Sequence, residues 1–218
     1  MIVVCGGIKG GSGKTTLATN LAVIRAAAGH DVLLVDADDQ ETASDFTIQR
    51  NAQTGDKAGY SSCRLGDEAV RTEINRAKAK YEDIIVDTGG RDTRSQRAAL
   101  VVADVLLVPF VPRSFDIWTV EKVGALVEDV RALNPSLHAY VFLNRADATG
   151  QENDEAQAIL AEATPLTFLD TVLGYRKAFG KAAAQGMAVT ELKPQDAKAS
   201  AEIMALYRHI YDAKTALL

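Results

Sequence analysis

The sequence predicts an α/β fold: a single domain whose mostly parallel, twisted sheet carries helices on both faces. Short apolar runs alternate with longer amphipathic stretches along the chain, which is typical of stacked βα units. Several of the runs are continuously apolar, as expected for strands buried on both faces. No repeat, low-complexity tract or flexible linker interrupts the 218 residues, so one domain over residues 1–218 is expected.

The elements follow from these patterns in chain order. The predicted strands are the apolar runs 2–6, 32–36, 84–87, 105–108, 139–144 and 168–173. The predicted helices are the amphipathic stretches 14–28, 67–80, 93–101, 115–133, 153–163, 176–185 and 197–216. Gly29 and Pro135 stand where helices end. Segment 39–64 has the weakest pattern, and there we expect a short helix over 44–50 and an edge strand over 62–65.

Composition narrows the class of protein. A chain that is 47% hydrophobic and 24% charged is typical of a globular domain. No run approaches the roughly 20 apolar residues of a membrane span, so the chain is expected in the cytoplasm. Cys5 and Cys63 lack metal-site spacing, which predicts ordinary thiols. The net charge of −5 argues against a protein that coats nucleic acid, so any DNA contact must be a local patch.

Residues 9–16 read KGGSGKTT and connect an apolar strand to a predicted helix. This context fits a phosphate-binding loop, because glycines let successive backbone N–H groups form a concave nest at a helix N-terminus. Lys14 supplies a charge for the β and γ phosphates, and Thr15 a hydroxyl for Mg²⁺. The first glycine of the common pattern is replaced by Ile8. The predicted nucleotide-binding residues are Gly10, Gly11, Ser12, Gly13, Lys14, Thr15 and Thr16.

Segment 9–15 resembles the deviant Walker A box of the ParA/MinD family of P-loop NTPases. By this resemblance Lys9 is the signature lysine, which reaches across a homodimer to the phosphates held by the partner subunit. A second cation neutralises charge that develops during phosphoryl transfer, so Lys9 and Lys14 are the implied catalytic cations. The resemblance implies ATP and Mg²⁺ as cofactors and ATP as part of the dimer interface.

A carboxylate box follows the second predicted strand. Residues 36–40, DADDQ, resemble the family's Asp-x-Asp-Pro-Gln box with Asp39 in place of proline. In open α/β sheets such strand ends lie beside the bound ligand. The resemblance implies that Asp36 assists the Mg²⁺ shell and that Asp38 orients or activates the attacking water. For Asp38, capping of the next helix stays open as an alternative.

The third apolar strand ends in Asp87, which matches a Walker B carboxylate that holds Mg²⁺ through water. Gly89 and Gly90 follow it, and they allow the backbone to approach a γ-phosphate as a switch loop does. The family often carries prolines at this place. Three boxes in the right order, each at a strand end, support the hypothesis of ATP hydrolysis.

The second half gives weaker signals. Segment 108–118 resembles the start of a dimer-interface helix, although a proline-bounded loop with a helix cap explains it equally well. Asn144 ends a strand where the family reads adenine with an amide, and a plain turn residue is the alternative. Arg176, Lys177 and Lys181 resemble residues that bind DNA without sequence preference, and a solvated helix face is the alternative. The last helix fits a core-facing stripe better than a membrane-binding helix.

The resemblance is strongest to short plasmid-type ParA proteins without an N-terminal helix-turn-helix domain. It implies an Mg-ATP-dependent dimerising ATPase that partitions plasmid or chromosomal DNA. Such an ATPase binds DNA nonspecifically when ATP is bound, is stimulated by a ParB-like partner, and lies on the nucleoid of a bacterium or archaeon. Positioning of another cargo, such as a protein organelle or a conjugation or secretion complex, is the alternative. Two further alternatives are a metabolic ligase resembling dethiobiotin synthetase and a scaffold that hydrolyses ATP slowly.

Overall fold

The computed structural model describes residues 1–112, 117–149 and 151–212. Its strands are β1 (Ile2–Cys5), β2 (Val32–Ala37), β3 (Ser61–Arg64), β4 (Asp83–Thr88), β5 (Val105–Phe110), β6 (His138–Ala146), β7 (Thr167–Phe168) and β8 (Leu173–Gly174). They form one sheet of order β3-β2-β4-β1-β5-β6-β7, and β8 also pairs with β6. Every one of these pairings is parallel. The predicted α/β class with a parallel sheet is therefore confirmed.

Helices cover both faces of the sheet. They are α1 (Lys14–Ala27), α2 (Thr42–Thr54), α3 (Ala69–Ala77), α4 (Arg94–Leu100), α5 (Ile117–Arg131), α6 (Gln151–Ala161), α7 (Lys177–Ala183) and α8 (Ala197–Tyr211), with a 3-10 helix at Val189–Glu191. Successive residues of β1 show the two layers, because Val4 belongs to the core that includes residues of α3 to α6, and Val3 to the core that includes residues of α1, α2, α7 and α8. β1 is fully buried, which explains its unbroken apolar sequence.

The predicted strand 168–173 is wrong as a single element. It is divided into β7 and β8, each of two residues, which pair with β6 at separate places. β7 pairs with Tyr140 and Val141, whereas β8 pairs with Asn144 and Ala146, between which the register shifts. Arg145 between them has a φ of 56°, in the left-handed region, so β6 cannot continue as a regular strand.

The weak segment 39–64 holds a longer helix than predicted. α2 has 13 residues, and it begins where the Asp36 carboxylate accepts hydrogen bonds from Ser44. Only four of its residues are buried, among them Phe46 and Arg50, so its apolar stripe is too thin to mark the full length. The predicted edge strand is confirmed, because β3 lies at the end of the sheet.

Other bounds differ by a few residues. α3 and α7 are shorter than predicted, and α6 begins two residues earlier than the predicted start at residue 153. The predicted start of α5 at residue 115 and the predicted end of α8 at residue 216 lie outside the described residues. Within the described part of the chain, no helix is long and apolar enough to cross a membrane.

Candidate functional site

The loop between β1 and α1 is shaped for a phosphate group. Gly11 and Gly13 have φ values of 74° and 98°, a region that glycine enters without strain. Gly13 directly precedes α1, and no side chain caps this end of the helix. The N–H groups of the first helical turn therefore have no side-chain acceptor, which is the arrangement that binds anions.

Lys14 lies under this loop. Its side chain is buried, and Nζ donates a hydrogen bond to the Lys9 carbonyl oxygen at 2.9 Å. Burial lowers the pKa of Lys14, whereas the nearby carboxylates of Asp87 and Asp38 raise it. An ammonium group has three donors, so Lys14 keeps others for a phosphate.

Asp87 is the most unusual carboxylate of the molecule. It is the next-to-last residue of β4, lies beside Asp36 of β2 and is fully buried, and neither of its oxygens has a hydrogen-bond partner among the described residues. Burial raises the pKa of Asp87 to about 7, against the lowering effect of the nearby Thr15 hydroxyl. The charges of Asp36 and Asp38 contribute to this raised pKa, and the charge of Lys14 opposes it. A buried carboxylate without donors is costly unless a cation compensates it.

These residues fit Mg²⁺. The orphaned Asp87 carboxylate and the Thr15 hydroxyl are hard oxygen ligands, which this ion prefers. In the described ranges no group of three or more His, Cys, Asp or Glu side chains forms a complete metal cage. That is consistent with Mg²⁺ bound to a nucleotide, which takes one or two protein ligands and fills its shell with phosphate oxygens and water.

Asp36 and Asp38 have different surroundings. The Asp36 Oδ2 atom accepts hydrogen bonds from the Ser44 backbone N–H at 2.8 Å and from its hydroxyl at 2.7 Å. The other oxygen accepts the N–H of Asp38 at 3.2 Å, so Asp36 shapes the turn that carries Asp38. Asp38 is half-buried and lines the same cavity as Lys14 and Thr15. A Cβ atom added to Gly89 would lie 3.1 Å from the Oδ1 atom of Asp38.

The loop after β4 packs directly on the phosphate loop. A Cβ atom at Gly90 would lie 2.6 Å from the Cα and N atoms of Gly10, so only glycine fits there. Behind this contact lies Gln96 of α4, which is fully buried. Its Oε1 accepts the Gly7 N–H at 2.9 Å and the Thr88 hydroxyl at 3.0 Å, and thus joins both loops. A glutamine inside a helix carries no sequence signal for this role.

The end of β6 holds the phosphate loop from the opposite side. The Asn144 side-chain amide donates to the Ser12 carbonyl oxygen at 2.6 Å. Arg145 donates to the Gly11 carbonyl oxygen at 2.8 Å. Asn144 also lines the cavity, so its predicted contact with adenine stays a prediction, but its amide N–H is engaged by the loop. The loop is therefore braced through two of its own carbonyl groups.

A cavity of about 890 Å³ joins these parts and extends to segment 173–180. One end has Gly11, Gly13, Lys14, Thr15, Thr16, Asp38, Gly90 and Arg91 in its wall. At the other end Leu173, Phe179 and Ile203 supply an apolar wall. Tyr175 lies there too, 60% exposed, with the Arg145 guanidinium 5.5 Å from its ring centroid. The volume suits a small ligand that is charged at one end and flat and apolar at the other.

The three predicted DNA-binding residues are not equivalent. Arg176 precedes α7 rather than lying on it, and its guanidinium binds the Glu202 carboxylate at 2.6 Å. Arg176 and Lys177 line the cavity described above. Lys177 also lines a second concavity of about 560 Å³ with Lys181 and Lys198. Lys177 and Lys181 are exposed, so both remain candidates for an anion outside the main cavity.

The sequence profile of the CobQ/CobB/MinD/ParA nucleotide binding domain matches residues 2–189 of the chain. The chain belongs to this family. The predicted resemblance to ParA/MinD proteins is thereby confirmed, and the braced loop and the orphaned Asp87 lie in the nucleotide-binding domain that the family shares.

Individual relatives in the family agree over almost the full length. Maintenance of carboxysome distribution protein A of Gloeobacter kilaueensis is 35% identical over 207 residues, which cover 93% of this chain and 88% of the relative. The protein of the same name from Halothiobacillus neapolitanus is 24% identical, and 93% of each chain is covered. A Cyanothece McdA variant solved as a complex with ATP superposes with a TM-score of 0.74. At 17% identity, and with 95% and 94% of the two chains covered, this last likeness establishes the fold.

Proposed function

We propose that the chain is an Mg²⁺-dependent ATPase that dimerises around ATP and positions an intracellular cargo. The observation that supports this most is the orphaned Asp87 carboxylate, which lies beside a buried lysine under a glycine loop. The membership in a nucleotide-binding family supports it independently. Neither a structural helix cap nor a turn requires a buried carboxylate without donors.

Each residue has a role in this proposal. The N–H groups of Gly10 to Gly13 and of the first turn of α1, which holds Thr16, cradle the phosphates, and Lys14 binds the β and γ phosphates. Asp87 and Thr15 hold Mg²⁺, which neutralises charge on the phosphate oxygens when bound. Asp36 acts on this shell mainly through the turn that it shapes, and Asp38 orients the attacking water. Tyr175 stacks on the base, and Asn144 reads its edge.

Lys9 makes the dimer part of the reaction in this proposal. It belongs to the same loop as Lys14, directly precedes Gly10 of the cavity wall, and is half-buried. A lysine brought by a partner subunit adds positive charge to a pocket in which carboxylates are concentrated. Dimerisation would then depend on ATP, because the nucleotide lies between the two subunits.

Two cargoes fit the proposal. The shared name of the two relatives, maintenance of carboxysome distribution, favours a protein organelle. The interpretation from the sequence is partition of plasmid or chromosomal DNA with a ParB-like partner. For either cargo we place the ATPase on nonspecific DNA of the nucleoid in the cytoplasm, with Lys177 and Lys181 as the proposed contacts.

The proposal predicts that Lys14→Ala abolishes ATP binding and phosphate release, because the cradle loses its charge. Asp38→Ala should retain ATP and form a stable dimer with little hydrolysis. Lys57→Ala, at an exposed lysine in the loop after α2, is the control and should behave as the parent protein. Phosphate release and sedimentation velocity with ATP, with ADP and with nonspecific DNA are the measurements. A monomer in ATP that ignores DNA would contradict the proposal and favour a metabolic ligase.

A further inference from the structure

Arg91 has a guanidinium group that no other described residue engages. It follows Gly90 in the loop between β4 and α4, is exposed, and lines the cavity together with Lys14, Thr15 and Asp38. No hydrogen bond or ion pair joins it to any residue of the described ranges 1–112, 117–149 and 151–212. A cation in the wall of a phosphate-binding cavity is thus available for a ligand.

Three other arginines, Arg97 on α4 and Arg145 and Arg176 in the cavity wall, are bound to other residues. Arg97 pairs with Asp92 at 2.7 Å and with Asp129 at 3.2 Å. Arg176 is bound to Glu202, and Arg145 donates to the phosphate loop itself. The guanidinium groups of these arginines bind other residues of the chain. That of Arg91 makes no hydrogen bond or ion pair with any described residue.

Carboxylates outnumber the chain's own buried cations at this end of the cavity. Asp36 and Asp87 lie side by side in the register of β2 and β4, and Asp38 follows the end of β2 in the wall of the same cavity. Within the phosphate loop and its two strand ends, the buried cation opposite them is Lys14. A triphosphate adds more negative charge, and hydrolysis concentrates it on the γ-phosphoryl oxygens.

The backbone conformation also positions Arg91 beside the phosphate loop. The contact of Gly90 with Gly10 is too close for any Cβ atom, so the residue that follows Gly90 stays beside the phosphate loop. A planar guanidinium offers paired N–H donors that match two phosphate oxygens. Unlike the side chain of Lys14, it comes from the loop beside Asp38, where the attacking water is proposed to lie.

We propose that Arg91 is a catalytic residue that binds the γ-phosphate of ATP from the subunit's own switch loop. This rests on the proposed ATP hydrolysis. Water adds to the γ-phosphorus, the bond to the β,γ-bridging oxygen breaks, and ADP, phosphate and a proton are formed. Arg91 stays protonated throughout, and it stabilises the charge on the γ oxygens by hydrogen bonds. It distinguishes ATP from ADP, which lacks the group that it binds.

The test compares Arg91→Ala and Arg91→Lys with Arg94→Ala, an exposed arginine three residues later that does not line the cavity. Calorimetry with ATPγS and with ADP, each with Mg²⁺, gives the affinities, and single-turnover hydrolysis gives the chemical step. For Arg91→Ala we expect about tenfold weaker ATPγS binding, unchanged ADP binding, and hydrolysis slower by about 100-fold. Arg91→Lys should recover part of both losses, and Arg94→Ala should match the parent protein.

Two results would overturn the inference. In one, Arg91→Ala keeps the parent's affinity for ATPγS. In the other, its affinities for ATPγS and ADP fall together, which would mean that Arg91 supports the fold or another phosphate. If the parent chain releases no phosphate at all, the proposed ATPase fails, but the ratio of the two affinities still decides whether Arg91 senses the γ-phosphate.

Discussion

The Asp87 carboxyl makes the nucleotide-free protein sensitive to pH. Its pKa in the folded chain is about 7, raised from 3.8 by burial, so the folded state holds this proton more tightly than the unfolded state does. The stabilising contribution is complete below about pH 4 and is lost as the pH rises towards 7. A difference of this size corresponds to a loss on the order of 4 kcal/mol over that range.

Replacing Asp87 by Asn should remove this loss of stability at neutral and higher pH. We expect Asp87→Asn to unfold at a higher temperature than the parent at pH 8 without nucleotide, with a smaller difference at pH 5. The same variant should lose Mg²⁺-dependent ATP binding. Glu128→Gln, at an exposed position on α5, changes the net charge equally and controls for it. Thermal unfolding from pH 5 to 8 is the measurement. Equal melting temperatures of Asp87→Asn and the parent protein at pH 8 would contradict a destabilising buried charge at Asp87.

At the scale of elements, the loop after β4 packs backbone against backbone on the phosphate loop. Gly90→Ala would force a Cβ atom to within 2.6 Å of the Gly10 backbone, so one of the two loops must move. We expect nucleotide affinity to fall at least tenfold, with the overall fold retained. Gly66→Ala is the matched control, because a Cβ atom there meets nothing within 4 Å.

Nucleotide affinity of both glycine variants can be measured by calorimetry, and circular dichroism can check their folding. Unchanged affinity in Gly90→Ala would show that the loop after β4 moves away from Gly10 at little cost. The two loops would then not act as one unit.

What the sequence predicted at this scale depends on whether the pattern is local. Runs such as that of β1 are apolar because both faces are covered, so the run itself predicts the strand. Gly90 belongs to a predicted switch loop, but its contact partner Gly10 could not be read from the chain. Gln96 meets Gly7 across 89 positions and Asn144 meets Ser12 across 132, distances at which periodicity carries no information. The contacts that brace the loop therefore leave no pattern in the sequence.

At the scale of the whole molecule, Arg50 joins parts that are distant in the chain. It is buried on α2, and it donates to the Ala58 and Gly186 carbonyl oxygens at 2.7 and 3.0 Å. Two further nitrogen–oxygen contacts of 2.8 and 2.9 Å bind the Glu191 carboxylate. The helix that follows the Asp38 turn is thus fastened to the segment before α8.

We expect Arg50→Met to lower the free energy of unfolding by about 3 kcal/mol, because it leaves a carboxylate and two carbonyl groups unpaired. Glu191→Gln should cost less, since an amide oxygen still accepts from Arg50. Arg64→Met breaks the exposed pair with Glu41 and should cost under about 1 kcal/mol. Urea unfolding measures all three variants. If Arg50→Met lowers the free energy of unfolding no more than Arg64→Met does, Arg50 does not hold α2 to the segment before α8.

The hydrogen bonds from Asn144 and Arg145 to the carbonyl groups of Ser12 and Gly11 are made by side chains of the same polypeptide. A triphosphate therefore binds to a loop whose conformation is already fixed by contacts within the folded chain. Little binding free energy is consumed in ordering this loop, so more of it is left to draw a second subunit onto the first.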